Sequence, residues 1–104
     1  MAEPKRGGVW LVDLGYAAKI RPCLVLSIGA NDEDRALARL VPHTTALRGS
    51  RFEVGLEIKF LRKDGFDAQN LVTIPHAKLI RKLGSLTDAG LAEVSARVRL
   101  WLGL

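Results

Sequence analysis

A chain of 104 residues with 48% hydrophobic and 26% charged side chains has a globular balance and the length of a single domain over 1–104, with a modest core. Its net charge of +5 points to anionic partners rather than to an acidic, solvating role. The opening MAEPKRGG holds no apolar stretch and no run reaches the length of a membrane span, so the expectation is a cytoplasmic protein without membrane contact.

Taken in chain order, VWLVDL (9–14) reads as a strand, with Gly8 permitting a tight entry and Gly15 ending it. PCLVLSI (22–28) is a continuous apolar run short enough for a strand buried on both faces. Its lone Cys23 excludes an internal disulfide and reads as a small buried hydrophobe. NDEDR (31–35) is a polar turn. ALARLVPHTT (36–45) alternates, and Pro42 restricts it to a sheet edge or a bulge. ALRGS is a loop turning at Gly49. RFEVGLEI (51–58) alternates Phe52, Val54, Leu56 and Ile58 on one face.

LRKDGFDAQ reads as a loop and NLVTI (70–74) as a further strand. Pro75 then opens a short helical turn through HAKLIRK, and KLGSL returns to a brief strand. Thr87 is placed to cap a final helix, with Asp88 beside its positive end. Leu91, Val94, Val98, Trp101 and Leu102 recur at helical spacing, and Glu93, Arg97 and Arg99 lie off that stripe. The pattern predicts a mainly β (α+β) architecture: a small barrel of about five to six short strands closed over one C-terminal amphipathic helix. Trp10 and Trp101 fall on apolar stripes, as core or interface anchors rather than base-stacking platforms.

Charge placement says more than net charge. Between 35 and 52 the ionised residues are Arg35, Arg39, Arg48 and Arg51, and between 14 and 31 only Lys19 and Arg21. Lys78, Arg81 and Lys82 are those between 68 and 87. The acids gather at 32–34, 53–57, 64–67 and 88–93. Acid-free basic segments suggest a positive face for a polyanion or an acidic peptide; the alternative is a solvated basic surface.

Arg21 precedes Pro22, which biases it toward extended backbone and holds it at a strand entrance. Its planar fork fits a phosphate, and a rim charge snorkelling to solvent is the competing reading. Thr44 and Thr45 lead into a loop carrying Arg48 and Arg51, and hydroxyls beside guanidinium groups suit a phosphate backbone. Strand alternation sends His43 and Thr45 away from whatever Thr44 faces, unless a bulge at Pro42 changes the parity. That makes His43 an ambiguous general base. His76 has basic neighbours and no acidic partner, and no pair of histidines or carboxylates has metal-ligand spacing, so neither metal nor cofactor is expected.

Several stretches together resemble the MazF/PemK family of toxin ribonucleases: KRGGVWLVDLG its opening, IRPCLVLS its RPxLVLS signature, and VPHTTALRG its Thr-rich strand end. NLVTIPHAKLIRKLGSLTDAGLAEVSARVRLWLGL is similar to its closing segment. The resemblance implies an SH3-like barrel, a homodimer, and a metal-independent endoribonuclease acting on single-stranded RNA. It also implies inhibition by a cognate antitoxin whose acidic, flexible tail lies in the dimer groove. By motif, the catalytic arginine falls on Arg21 and the catalytic threonine on Thr44. Lys19, His43, Thr45, Arg48, Arg51 and Asn70 are the expected RNA contacts. Two departures stand out: only YAAKI, with no acid, separates Gly15 from Arg21, and His43 replaces a commonly apolar residue. A gyrase-poisoning toxin of the same barrel, or an RNA-binding module without catalysis, are the alternative readings.

Overall fold

Cys23, Leu24 and Val25 are consecutive and fully buried, so the strand carrying them is covered on both faces, as its unbroken apolar run predicts. The structure, a computed structural model, describes residues 3–15 and 19–104. Its strands are β1 (Gly8–Asp13), β2 (Ile20–Val25), β3 (Leu37–Thr44), β4 (Glu53–Gly55), β5 (Gly65–Asp67), β6 (Val72–Pro75) and β7 (Leu79–Ser85), followed by helix α1 (Asp88–Leu102). Short 3-10 turns at Ala68–Asn70 and His76–Lys78 precede β6 and β7. Tyr16, Ala17 and Ala18 of the YAAKI segment lie outside the described residues.

The strands form one antiparallel sheet in the order β4-β5-β3-β2-β1-β7, with β6 also paired to β3. The path runs from β4 to β7, and among the described residues no ladder joins those ends, so the sheet is open rather than a closed barrel. It nevertheless curls. Ile74 of β6 and Leu79 of β7 come from opposite flanks, yet both pack into one cluster with Trp10, Val12, Cys23 and Leu40. The other face carries a second cluster, Val9, Leu24, Val41 and Phe66, closed by Val94 and Val98 of α1. Each such buried Val or Leu contributes about 1.5–3 kcal/mol by leaving water.

The helix begins where the sequence places it. The Thr87 hydroxyl accepts a hydrogen bond from the Gly90 N–H at 3.1 Å, and Asp88 sits in the first turn. Gly103 closes it in a left-handed conformation, φ 73°. The apolar stripe is buried through Val94 and Val98 and then runs out: Trp101 and Leu102 are 43% and 49% exposed. Trp10 is a core residue as expected, whereas Trp101 is a rim residue whose ring meets Phe52 edge-on at 5.1 Å. No helix among the described residues is long and apolar enough to cross a membrane.

Other expectations change as well, among them the helical turn through HAKLIRK, which ends at Lys78 where β7 begins. Pro42 is neither at a sheet edge nor in a bulge: it lies opposite Cys23 in a regular β2–β3 register, inside the strand with the most neighbours. On the far flank β3 pairs with β6 up to Leu40↔Val72 and with β5 from His43↔Phe66 onward, and Pro42 occupies the gap where no ladder bond is required of it. The alternating RFEVGLEI yields a strand only at Glu53–Gly55, although Leu56 and Ile58 still pack on the core. Finally, β5 arises within the segment read as a loop, because Phe66 is drawn fully inside beside His43.

Candidate functional site

Arg21 is the second residue of β2 and pairs with Val12 of β1. The β2–β3 ladder ends at Cys23↔Pro42, and continuing its register two residues outward sets Arg21 opposite Thr44. The pair extends the face that carries Cys23 and Leu40, at the point where the apolar cluster stops. Arg21 is exposed and Thr44 half-buried. Both line a concave cleft of about 580 Å³, and both also border an adjoining cleft of about 1070 Å³. They form the ridge between two depressions.

The Thr44 hydroxyl is already oriented. Its oxygen accepts the Ala46 N–H at 3.1 Å, which leaves its own O–H to donate toward the cleft. In the first cleft Glu53 accepts the Ser50 N–H at 2.8 Å and the Arg48 N–H at 3.0 Å, fastening the turn at Gly49, φ +79°. Those donors, Ser50 first and then Arg48, hold the Glu53 carboxyl below its ordinary value. Asp67 similarly accepts the Gln69 N–H at 3.0 Å and bonds the Asn70 side-chain amide. Both acids of this cleft are therefore engaged in holding segments that present Arg48 and Asn70.

Arg21, Thr44, Arg48 and Asn70 share the first cleft; Arg21 and Thr44 meet Lys19, His43 and Thr45 around the second. Arg51 borders neither: its guanidinium lies over the Phe52 ring at 4.7 Å and its carbonyl accepts from Arg97 at 3.0 Å. His43 is 4% exposed and packs edge-on against Phe66 at 5.4 Å. Burial lowers its pKa, opposed by a hydrogen bond to the Arg62 backbone and the Asp64 charge. The regular register keeps it on the opposite pleat from Thr44. Burial also pushes the Cys23 thiol up to about 12, against the opposing charge of Arg21, so it remains protonated. Among the described residues no group of three or more His, Cys, Asp or Glu side chains could hold a metal ion.

Sequence reading missed Glu53, Asp67 and Gln69 in the first cleft and Phe60, Arg62 and Arg81 in the second. The acids mark their segments as unlike a polyanion surface, and only their hydrogen bonds to neighbouring amides show what they do.

Fold and clefts define a small β-rich protein with an arginine–threonine ridge just beyond the end of its β2–β3 ladder. The model of the PemK-like, MazF-like toxins of type II toxin–antitoxin systems matches residues 5–102, and the chain belongs to that family. It is similar, at 29% identity, to an endoribonuclease from mycobacterial species solved in complex with its cognate antitoxin; the match covers 97% of this chain and 96% of that one with a TM-score of 0.84. A second endoribonuclease from mycobacterial species is 27% identical over 100% and 95% of the two chains, with a TM-score of 0.82. MazF from Deinococcus radiodurans is 26% identical over the whole of both chains, again with a TM-score of 0.82.

Proposed function

We propose that this chain is the toxin of a type II toxin–antitoxin pair and acts as a metal-independent endoribonuclease on single-stranded RNA in the cytoplasm. The observation that carries the reading is the ridge, where Arg21, an exposed residue, and Thr44, whose hydroxyl oxygen accepts the Ala46 N–H, border the same two clefts. The ribose 2′-oxygen attacks the adjacent phosphorus and the 5′-oxygen leaves, giving a 2′,3′-cyclic phosphate and a 5′-hydroxyl end. Negative charge gathers on the equatorial phosphate oxygens. Arg21 stabilises the transition state more than the ground state by countering that charge, and Thr44 donates to one of the same oxygens.

Arg48 and Asn70 on one side, and Lys19 and Thr45 on the other, contact the flanking nucleotides. His43 stands in the wall of the second cleft. The family places two copies together, and the acidic tail of a cognate antitoxin would compete with RNA for this basic surface.

Incubating the purified chain with mixed single-stranded RNA in EDTA tests the assignment. Cleavage to cyclic-phosphate ends is expected. Retardation of RNA without cleavage would make it a binding module, and trapping of DNA gyrase without either would make it the other toxin class of this fold.

A further inference from the structure

The larger cleft has a feature that the ridge chemistry does not use. The hairpin loop between β4 and β5 is closed by the Leu56 N–H donating to the Asp64 carbonyl at 3.0 Å. Leu56, Ile58 and Leu61 turn inward against the main core, and Lys59, Phe60, Arg62 and Lys63 face out. Phe60 is thus a large apolar ring, 39% exposed, beside Lys59, Arg62 and Lys63 on a loop that also carries Glu57 and Asp64.

Its place is built rather than incidental. A Cβ on Gly84 of β7 would lie 2.5 Å from Phe60 Cε1 and 2.7 Å from Cζ, so the ring rests where only glycine leaves room. There it borders the 1070 Å³ cleft together with Arg21, Thr44, Lys19, Arg62 and Arg81, and among the described residues no carboxylate lines that cleft. An exposed ring set among cations, without acids, is the arrangement by which proteins hold single-stranded nucleic acid: the cations follow the phosphates and the ring stacks a base.

We propose that the cleft on the Phe60 side of the Arg21–Thr44 ridge is a nucleobase subsite, in which one base flanking the scissile phosphate stacks on Phe60. The inference rests on the ribonuclease reading and goes beyond it by naming what fills this cleft. Stacking requires only an aromatic face, so the subsite accepts all four bases and adds affinity rather than sequence choice.

The test compares the wild-type chain with Phe60→Leu, Phe60→Trp and Gly84→Ala. The probes are a short single-stranded 2′-O-methyl RNA of randomised sequence, which lacks the attacking hydroxyl, and inorganic polyphosphate, which has charge and no bases. Phe60→Leu weakens RNA binding by about five- to a hundred-fold and leaves polyphosphate binding unchanged. Phe60→Trp retains RNA affinity. Gly84→Ala, which evicts the ring, falls in the same direction as Phe60→Leu. Equal loss of both probes would make Phe60 a structural residue and overturn the subsite, as would unchanged RNA binding in Phe60→Leu. Wild type that neither binds RNA nor cleaves it would remove the ribonuclease reading itself, and the subsite with it.

Discussion

The two clefts beside the Arg21–Thr44 ridge solve the same problem by different means. In the first, Glu53 and Asp67 spend their charge on backbone and amide donors, so the side chains around them are fixed by hydrogen bonds. In the second no carboxylate lies among the described lining residues, and the wall is a hairpin loop pinned by its own leucines and by Phe60 on Gly84. One side gains definition at the expense of positive potential; the other keeps its potential and gains definition from packing. A chain that must grip a flexible polyanion and also orient one phosphate has use for both.

The ridge shared by both clefts should show the largest effect. Arg21→Ala is expected to lower kcat/KM on single-stranded RNA by about 10²- to 10³-fold, the usual cost of one donor to developing negative charge. Because Arg21 is exposed beyond the end of the apolar cluster, the melting temperature and elution volume should stay at wild-type values. Unfolding of the variant would show the arginine to be a structural residue of β2 and would void the comparison of the clefts.

How much of this could be read from the chain depends on which interactions are local. The Thr87 cap, the Gly49 turn and the buried Cys23–Val25 centre of β2 are set by neighbouring residues and lie where the patterning put them, although the strand ends at Val25 and Ile28 of the same apolar run is 80% exposed. Pro42 was misplaced because its tolerance depends on two other strands exchanging partners beside it, which no local pattern encodes. The strand Gly65–Asp67 was hidden because a single phenylalanine drives its burial within a polar segment. Motif resemblance singled out Arg21 and Thr44, and the structure sets both on the same two clefts, whereas Phe60 went unremarked because Glu57 and Asp64 largely offset Lys59, Arg62 and Lys63 of its loop.

The first cleft is tested through Glu53. Its carboxyl is held below the ordinary 4.5, so the loop order it provides is complete above that value and is lost as pH falls through the lower folded value. Glu53→Gln cannot accept both amide donors with a charged group, and cleavage should drop several-fold at neutral pH through weaker presentation of Arg48. The ratio of wild-type to variant activity should shrink toward one as the assay is acidified below 4.5. A ratio that stays constant with pH would mean that the carboxylate does not order this loop.

The smallest effect on turnover is expected at His43, in the wall of the second cleft. Its folded pKa lies below the ordinary 6.5, with burial as the main cause. The unfolded chain therefore takes up a proton more readily than the folded one, and stability contributed by the neutral ring is full above 6.5 and declines as pH falls below it. Replacing the ring with leucine removes that titration. The melting temperature of His43→Leu should accordingly fall less than that of wild type between about pH 7.5 and about pH 5, with kcat little changed at neutral pH. Loss of kcat in a variant that melts normally would instead identify the imidazole as the group receiving the 2′-hydroxyl proton, and the second cleft would then supply chemistry as well as grip.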